Sequence, residues 1–169
     1  MENLTKEEFI EKIIESLGDN EVLGQVISIE QIKDILEDKL EAVHWDVEGE
    51  VNAAALTNNK PNGKTELFFR KHDKATIIHE VLHLLSNKMS AEILKFQVEK
   101  HGLGYNYNFN LNKEKNYIPT IKEYNRALNE GMTEALTMKI LGESEGVYNR
   151  ERYIYGVMSA IVGEKEILE

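Results

Sequence analysis

The chain contains no cysteine. That excludes disulfide staples, thiolate zinc sites and a cysteine nucleophile. It is also short of basic charge: 20 Lys and Arg face 30 Asp and Glu, for a net charge of −10. A nucleic-acid binder would need a basic face, so no nucleic-acid partner is expected. No apolar run approaches the roughly 18 residues of a membrane span, so no membrane partner is expected either. The opening Met1-Glu-Asn-Leu-Thr-Lys-Glu-Glu8 lacks the basic and then apolar stretches of a secretory signal, which makes a cytoplasmic protein the default expectation. What the chain does have is 41% hydrophobic residues in 169. That is enough for an ordinary core in one domain, or in one domain with a small helical extension.

The acidity is uneven. Residues 1–50 carry 15 acids and 4 bases, whereas residues 51–169 carry 15 and 16. The acidic part reads as two amphipathic helices. Thr5 with Glu8 forms a capping-box pattern, followed by a stripe of Phe9, Ile10, Ile13, Ile14 and Leu17 and a stop at Gly18. Ser28 with Gln31 repeats the start signal, and Ile29, Ile32, Ile35, Leu36 and Leu40 form a second stripe. Residues 1–42 are therefore expected to be an acidic helical extension, and residues 43–169 the main domain.

The main domain opens with strand signals. Val51-Asn-Ala-Ala-Ala-Leu-Thr57 and Thr65-Glu-Leu-Phe-Phe-Arg70 flank the turn-rich Asn58-Asn-Lys-Pro-Asn-Gly63, which predicts an antiparallel hairpin. Trp45 is expected in the core or packed on that hairpin. A helix follows over 74–88 with Asp73 as N-cap. Residues 105–112 alternate with period 2, Tyr against Asn, and predict a strand. Its edge is a candidate place for an extended peptide to pair. A third helical region spans about Pro119 to Leu141 with a break near Asn129, and a last helix holds Ile154, Val157, Met158 and Ile161 before Gly163. The expected class is α+β, dominated by helices, with a small antiparallel sheet.

The 74–88 helix contains His79-Glu80-Val81-Leu82-His83. Two histidines four residues apart on a helix share one face, so both imidazoles can reach a single metal ion, with Glu80 placed to deprotonate a water. Apolar residues surround the rest of this helix, and its polar ones (Thr76, His79, Glu80, His83, Asn87) fall on one stripe. Histidines and a carboxylate on a buried helix are costly unless they coordinate or pair. After His83 the chain reads Leu84-Leu-Ser-Asn-Lys-Met89, without the glycine and third histidine of the metzincin pattern. His44, His72 and His101 have no recognisable context and read as surface or loop histidines.

A catalytic zinc site needs a third ligand. Asn129-Glu130-Gly131-Met132-Thr133-Glu134 offers one. If Asn129 caps a helix, Glu130 lies in its first turn and Glu134 one turn later on the same face. Glu130 would then complete the coordination, and Glu134 would accept the spare N–H of a ligand histidine.

Together, His79-Glu80-x-x-His83 and Asn129-Glu130-x-x-x-Glu134 resemble the gluzincin metallopeptidases, thermolysin-like enzymes and lethal-factor-type domains among them. The resemblance runs from about 64 to 141 and implies a zincin-like domain. It implies Zn2+ held by His79, His83 and Glu130, Glu80 as general base, and Glu134 supporting a ligand histidine, His79 by similarity to thermolysin-like sites. Tyr124 is similar to the oxyanion-stabilising tyrosine of lethal-factor-type domains, with Tyr117 as competitor. The function so implied is a zinc-dependent peptidase acting on a peptide or protein substrate. Two alternatives stay open: a regulatory protease dedicated to one protein partner, with the acidic helices as its recognition module, and a non-catalytic helical binding module with a structural metal or none.

Overall fold

The computed structural model describes residues 4–18, 20–24, 27–48, 54–60, 62–93, 96–101, 104–109, 122–124, 126–143 and 148–163. Both capping boxes form. Thr5 Oγ1 accepts from the Glu8 amide and Glu8 Oε2 accepts from the Thr5 amide, which starts helix α1 (Lys6–Leu17). Ser28 and Gln31 do the same for α3 (Ile29–Lys39), with the single turn α2 (Glu21–Gly24) between them. Leu40, expected on the second helical stripe, instead opens strand β1 (Leu40–His44). It stays fully buried, so the hydrophobic demand is met in a different backbone conformation.

The predicted hairpin is present as β2 (Ala55–Asn59) and β3 (Thr65–Phe69), antiparallel with Thr57 opposite Leu67. Asn58 and Asn59, expected in the turn, instead continue the strand opposite Glu66 and Thr65, and residues 51–53 lie outside the described residues. Its turn is closed by the Lys60 amide on the Lys64 carbonyl, and Gly63 supplies the positive φ of 80°. β1 lies parallel to β3 on the other side, so the order is β1-β3-β2 and the sheet is mixed, where a purely antiparallel one was expected. Among the described residues, the outer edge of β2 carries no further strand.

Helix α4 (Lys74–Ser86) starts at Asp73, whose Oδ1 accepts from the Thr76 amide. It ends earlier than expected. Asn87 begins β4 (Asn87–Ile93), which pairs with β5 (Phe96–His101), then β6 (Gly104–Phe109), then β7 (Lys122–Tyr124) in a second, antiparallel sheet. β6 matches the start of the predicted 105–112 strand, and residues 110–112 lie outside the described residues. Over Tyr105–Tyr107 β6 is flanked by β5 on one side and β7 on the other, so that stretch offers no free edge to a peptide. The helical region expected from Pro119 starts only at Arg126: α5 (Arg126–Leu141) runs unbroken through Asn129, and residues 122–124 are strand. α6 (Asn149–Val162) closes the described fold. The architecture is thus mixed α and β, and no described helix is long and apolar enough to cross a membrane.

One core joins these parts. Phe9, Ile13 and Leu17 of α1 and Ile32 and Leu36 of α3 pack with Leu67 and Phe69 of β3. The same cluster takes in Ile77, Ile78, Val81 and Leu84 of α4 and Met132 and Leu136 of α5. Trp45 meets the rings of Phe9 and Phe69 and donates its Nε1–H to the Leu4 carbonyl. The acidic faces of α1 and α3 point to solvent, and their apolar faces are shared with the helix that carries His79. Phe9→Ala should therefore cost about 3–5 kcal/mol in chemical denaturation, as for other buried aromatics, with a single cooperative transition. A loss below about 1 kcal/mol, or a separate early transition, would show that α1 is peripheral.

Candidate metal centre

Helices α4 and α5 cross with their polar stripes facing. One turn separates His79 from His83 on α4, and one turn separates Glu130 from Glu134 on α5. The crossing brings His79 Nε2 to 3.1 Å from His83 Nε2, with Glu130 Oε2 at 3.2 Å from the first and 3.3 Å from the second. These three groups can hold one metal ion. The outer nitrogen of each imidazole has its own neighbours. His79 Nδ1 lies 3.0 Å from Glu134 Oε2, and His83 Nδ1 lies 3.3 Å from the Asn129 amide nitrogen and 3.5 Å from Thr133 Oγ1.

Tautomers follow from this pattern. An ionised carboxylate only accepts, so His79 donates from Nδ1 to Glu134 and carries its lone pair on Nε2. At His83 the Asn129 orientation matters, because its Oδ1 is buried with no partner among the described residues. Turning the amide over, which exchanges two nearly indistinguishable atoms, gives that oxygen the His83 Nδ1–H. Two imidazole lone pairs and a carboxylate oxygen then converge, an arrangement that repels itself unless a cation sits among them. The fit is also metrical. Ligands about 2.05 Å from a tetrahedral zinc lie about 3.3 Å apart, close to the three separations found.

The electrostatics agree with a site that competes for protons. Burial pushes His79 towards its neutral form, but the hydrogen bond to Glu130 and the charges of Glu80, Glu130 and Glu134 outweigh it, and its pKa is raised. Burial pushes Glu130 up, but hydrogen bonds from His79 and His83 and their charge hold its carboxyl well below the usual range. Each group thereby favours the charged form of the other: His79 takes up a proton more readily than an ordinary histidine, and Glu130 gives one up more readily than an ordinary glutamate.

Three further groups complete the surroundings. Thr57 Oγ1 on β2 donates to Glu80 Oε2 at 2.5 Å. The Tyr148 ring, just before α6, stacks on His79 at 5.6 Å and 20°. Gly131, next to Glu130, sits against α6 so closely that a Cβ there would be 2.2 Å from the Glu151 carbonyl oxygen. Glycine at 131 is thus what lets α6 lie directly on the turn of α5 that bears Glu130.

The structure brings His79, His83, Glu130 and Glu134 together and puts Glu80 beside them at the sheet edge. Tyr124 ends β7, its backbone opposite Tyr105, and Tyr117 lies outside the described residues. Asn129 is no helix cap: it lies inside α5, buried against His83. Nothing in the sequence pattern singles out Thr57, Thr133 or Tyr148. Of the stray histidines, His44 lies 3.5 Å from Glu66, and His72 lies 3.2 Å from Asp46 against the Trp45 ring. Neither joins the metal cluster. Comparison of the chain with protein families, curated proteins and solved structures gives no match.

Titration with zinc should give one site. Its affinity should fall about 10–100-fold in Glu134→Ala and further in Glu130→Ala, because losing a ligand costs more than losing its support. Affinity should also rise with pH across the titration of His79, since binding expels that proton. Retention of zinc by Glu130→Ala together with its loss in Glu134→Ala would reverse the two roles. Gly131→Ala should destabilise the fold by about 1–3 kcal/mol by forcing α6 outward. If instead its melting curve overlays the wild type, the close crossing is not a constraint.

Proposed function

We propose that the chain is a zinc-dependent peptidase of the gluzincin kind, with His79, His83 and Glu130 as ligands. The observation that carries this reading is the convergence of three ligand atoms from α4 and α5, with a glutamate one residue past the first histidine. A bound zinc would supply Lewis acidity, making water acidic enough to ionise near neutral pH and polarising the scissile carbonyl.

The protein groups divide the remaining work. Glu134 and Asn129 hold the ligand imidazoles in the tautomer that presents Nε2. Glu80 takes a proton from the attacking water and passes it to the leaving amine. Tyr124 is the proposed donor to the developing oxyanion. The substrate is a peptide in extended form, paired along the outer edge of β2, which runs past Glu80 through Thr57. A structural metal site would have no use for a carboxylate held beside the ligands, which favours catalysis over a purely structural role for the ion.

Glu80→Gln tests the reading. It should bind zinc as the wild type does and lose about 10²–10⁴-fold in turnover on a peptide library. Equal turnover by wild type and variant would refute Glu80 as base, and zinc binding with no cleavage by the wild type would favour a structural metal.

A further inference from the structure

Strand β2 alternates in exposure: Ala55 and Thr57 are half-buried, whereas Leu56 and Asn58 are exposed. Thr57 therefore projects from the sheet face that α4 covers. Its backbone is pinned in register with the fully buried Leu67 of the central strand. A β-branched side chain on a strand has little χ1 freedom, so the direction of the Thr57 hydroxyl is set by the sheet. Glu80 is the opposite case, a long side chain with three soft torsions. Among the described residues its one hydrogen-bond partner is Thr57, at 2.5 Å through Oε2.

We propose that Thr57 is the positioning residue of Glu80, anchoring Oε2 to the sheet edge so that Oε1 is the oxygen that handles the proton. The chemistry rests on the peptidase reading, whereas the anchor does not. A hydroxyl both donates and accepts, so the contact survives both states of the carboxyl. With Glu80 ionised, Thr57 donates to Oε2. When the proton of the attacking water arrives on Oε1, Oε2 keeps its partner, and the same proton leaves Oε1 for the amine. No other donor or acceptor is consumed. Because Thr57 belongs to the strand on which an extended substrate would lie, the anchor also fixes the base relative to the substrate backbone.

The test uses the full-length chain with Thr57→Val, which keeps shape and strand preference but removes the hydroxyl, and Thr57→Ser, which keeps the hydroxyl. In the zinc-loaded protein Thr57→Val should lower kcat about 10–100-fold with KM within about twofold, while Thr57→Ser recovers most of the loss. In the zinc-free protein Thr57→Val should raise the unfolding equilibrium constant about tenfold, and the same change in a Glu80→Ala background should move it less than about twofold. Turnover of Thr57→Val within twofold of wild type, while Glu80→Gln is inactive, would overturn the proposal and leave the peptidase reading standing. Equal losses in the Val and Ser variants would overturn it too, since the hydroxyl would then not be what matters. If the wild type cleaves nothing, the peptidase reading falls; non-additive stabilities then uphold the anchor, and additive ones remove it as well.

Discussion

Everything at the candidate site depends on the facing of two polar stripes across the α4–α5 crossing. His79 sits between Glu130 on its Nε2 side and Glu134 on its Nδ1 side, and both Glu134 and His79 are buried. Placing ionisable groups there is expensive unless each has a partner. The crossing meets that requirement pairwise, since each imidazole uses one nitrogen towards the shared centre and the other towards α5. A rotation or slide of α5 by one residue would break all of these pairs at once. Its register is held by Met132 and Leu136 in the core and by the contact of Gly131 with α6.

That arrangement was partly legible beforehand, and the reason is periodicity. The α-helix repeat puts positions 79 and 83, and positions 130 and 134, on single faces whatever the rest of the chain does. The capping boxes and the hairpin turn are equally local signals, and the structure forms them, the turn beginning two residues later than the sequence suggests because Asn58 and Asn59 pair in the sheet. What local pattern cannot give is the partner across space. Asn129 has the composition of a cap, yet it lies three residues inside α5, where its amide meets His83. Thr57 looks like any β-branched strand residue until the sheet sets it against α4. Tyr148 gains its position from α6, which only a glycine at 131 admits so close.

Two of the unpredicted strands, β1 and β4, share one physical origin. β1 and β4 follow helices without an intervening Gly, Pro or Asx turn: Lys39 ends α3 and Leu40 begins β1, and Ser86 ends α4 and Asn87 begins β4. With no punctuation, a helical stripe reads on by a few residues, as it did through Leu40 and Asn87. Strand pairing decides such cases. β1 gains a parallel partner in β3, and β4 an antiparallel one in β5. The β1–β3 pairing makes the first sheet mixed rather than antiparallel, and β5 and β7 flank β6 over Tyr105–Tyr107. The outer edge of β2, next to the histidine helix, carries no further strand among the described residues. The core likewise links α1 and α3 to the site helix through Phe9, Leu36 and Ile77, so the charge imbalance of the first 50 residues marks a solvated face of the same packed body.

A helix carrying two of the three candidate ligands and a proposed base sets its own architectural demand. Successive residues on a helix point about 100° apart. Glu80 therefore points about 100° from His79 and about 60° from His83 within the same polar stripe, which lets it take a partner of its own from a different element. α5 supplies the histidine partners from one side: Glu134, Asn129 and Thr133. The sheet edge supplies the glutamate partner from another, through Thr57. Were α4 flanked by helices alone, its base would be left to solvent; were it flanked by strands alone, its imidazoles would lack a second helix with carboxylates one turn apart. The mixed fold with α4 between a strand edge and α5 meets both needs, and it does so with three short elements joined by one core.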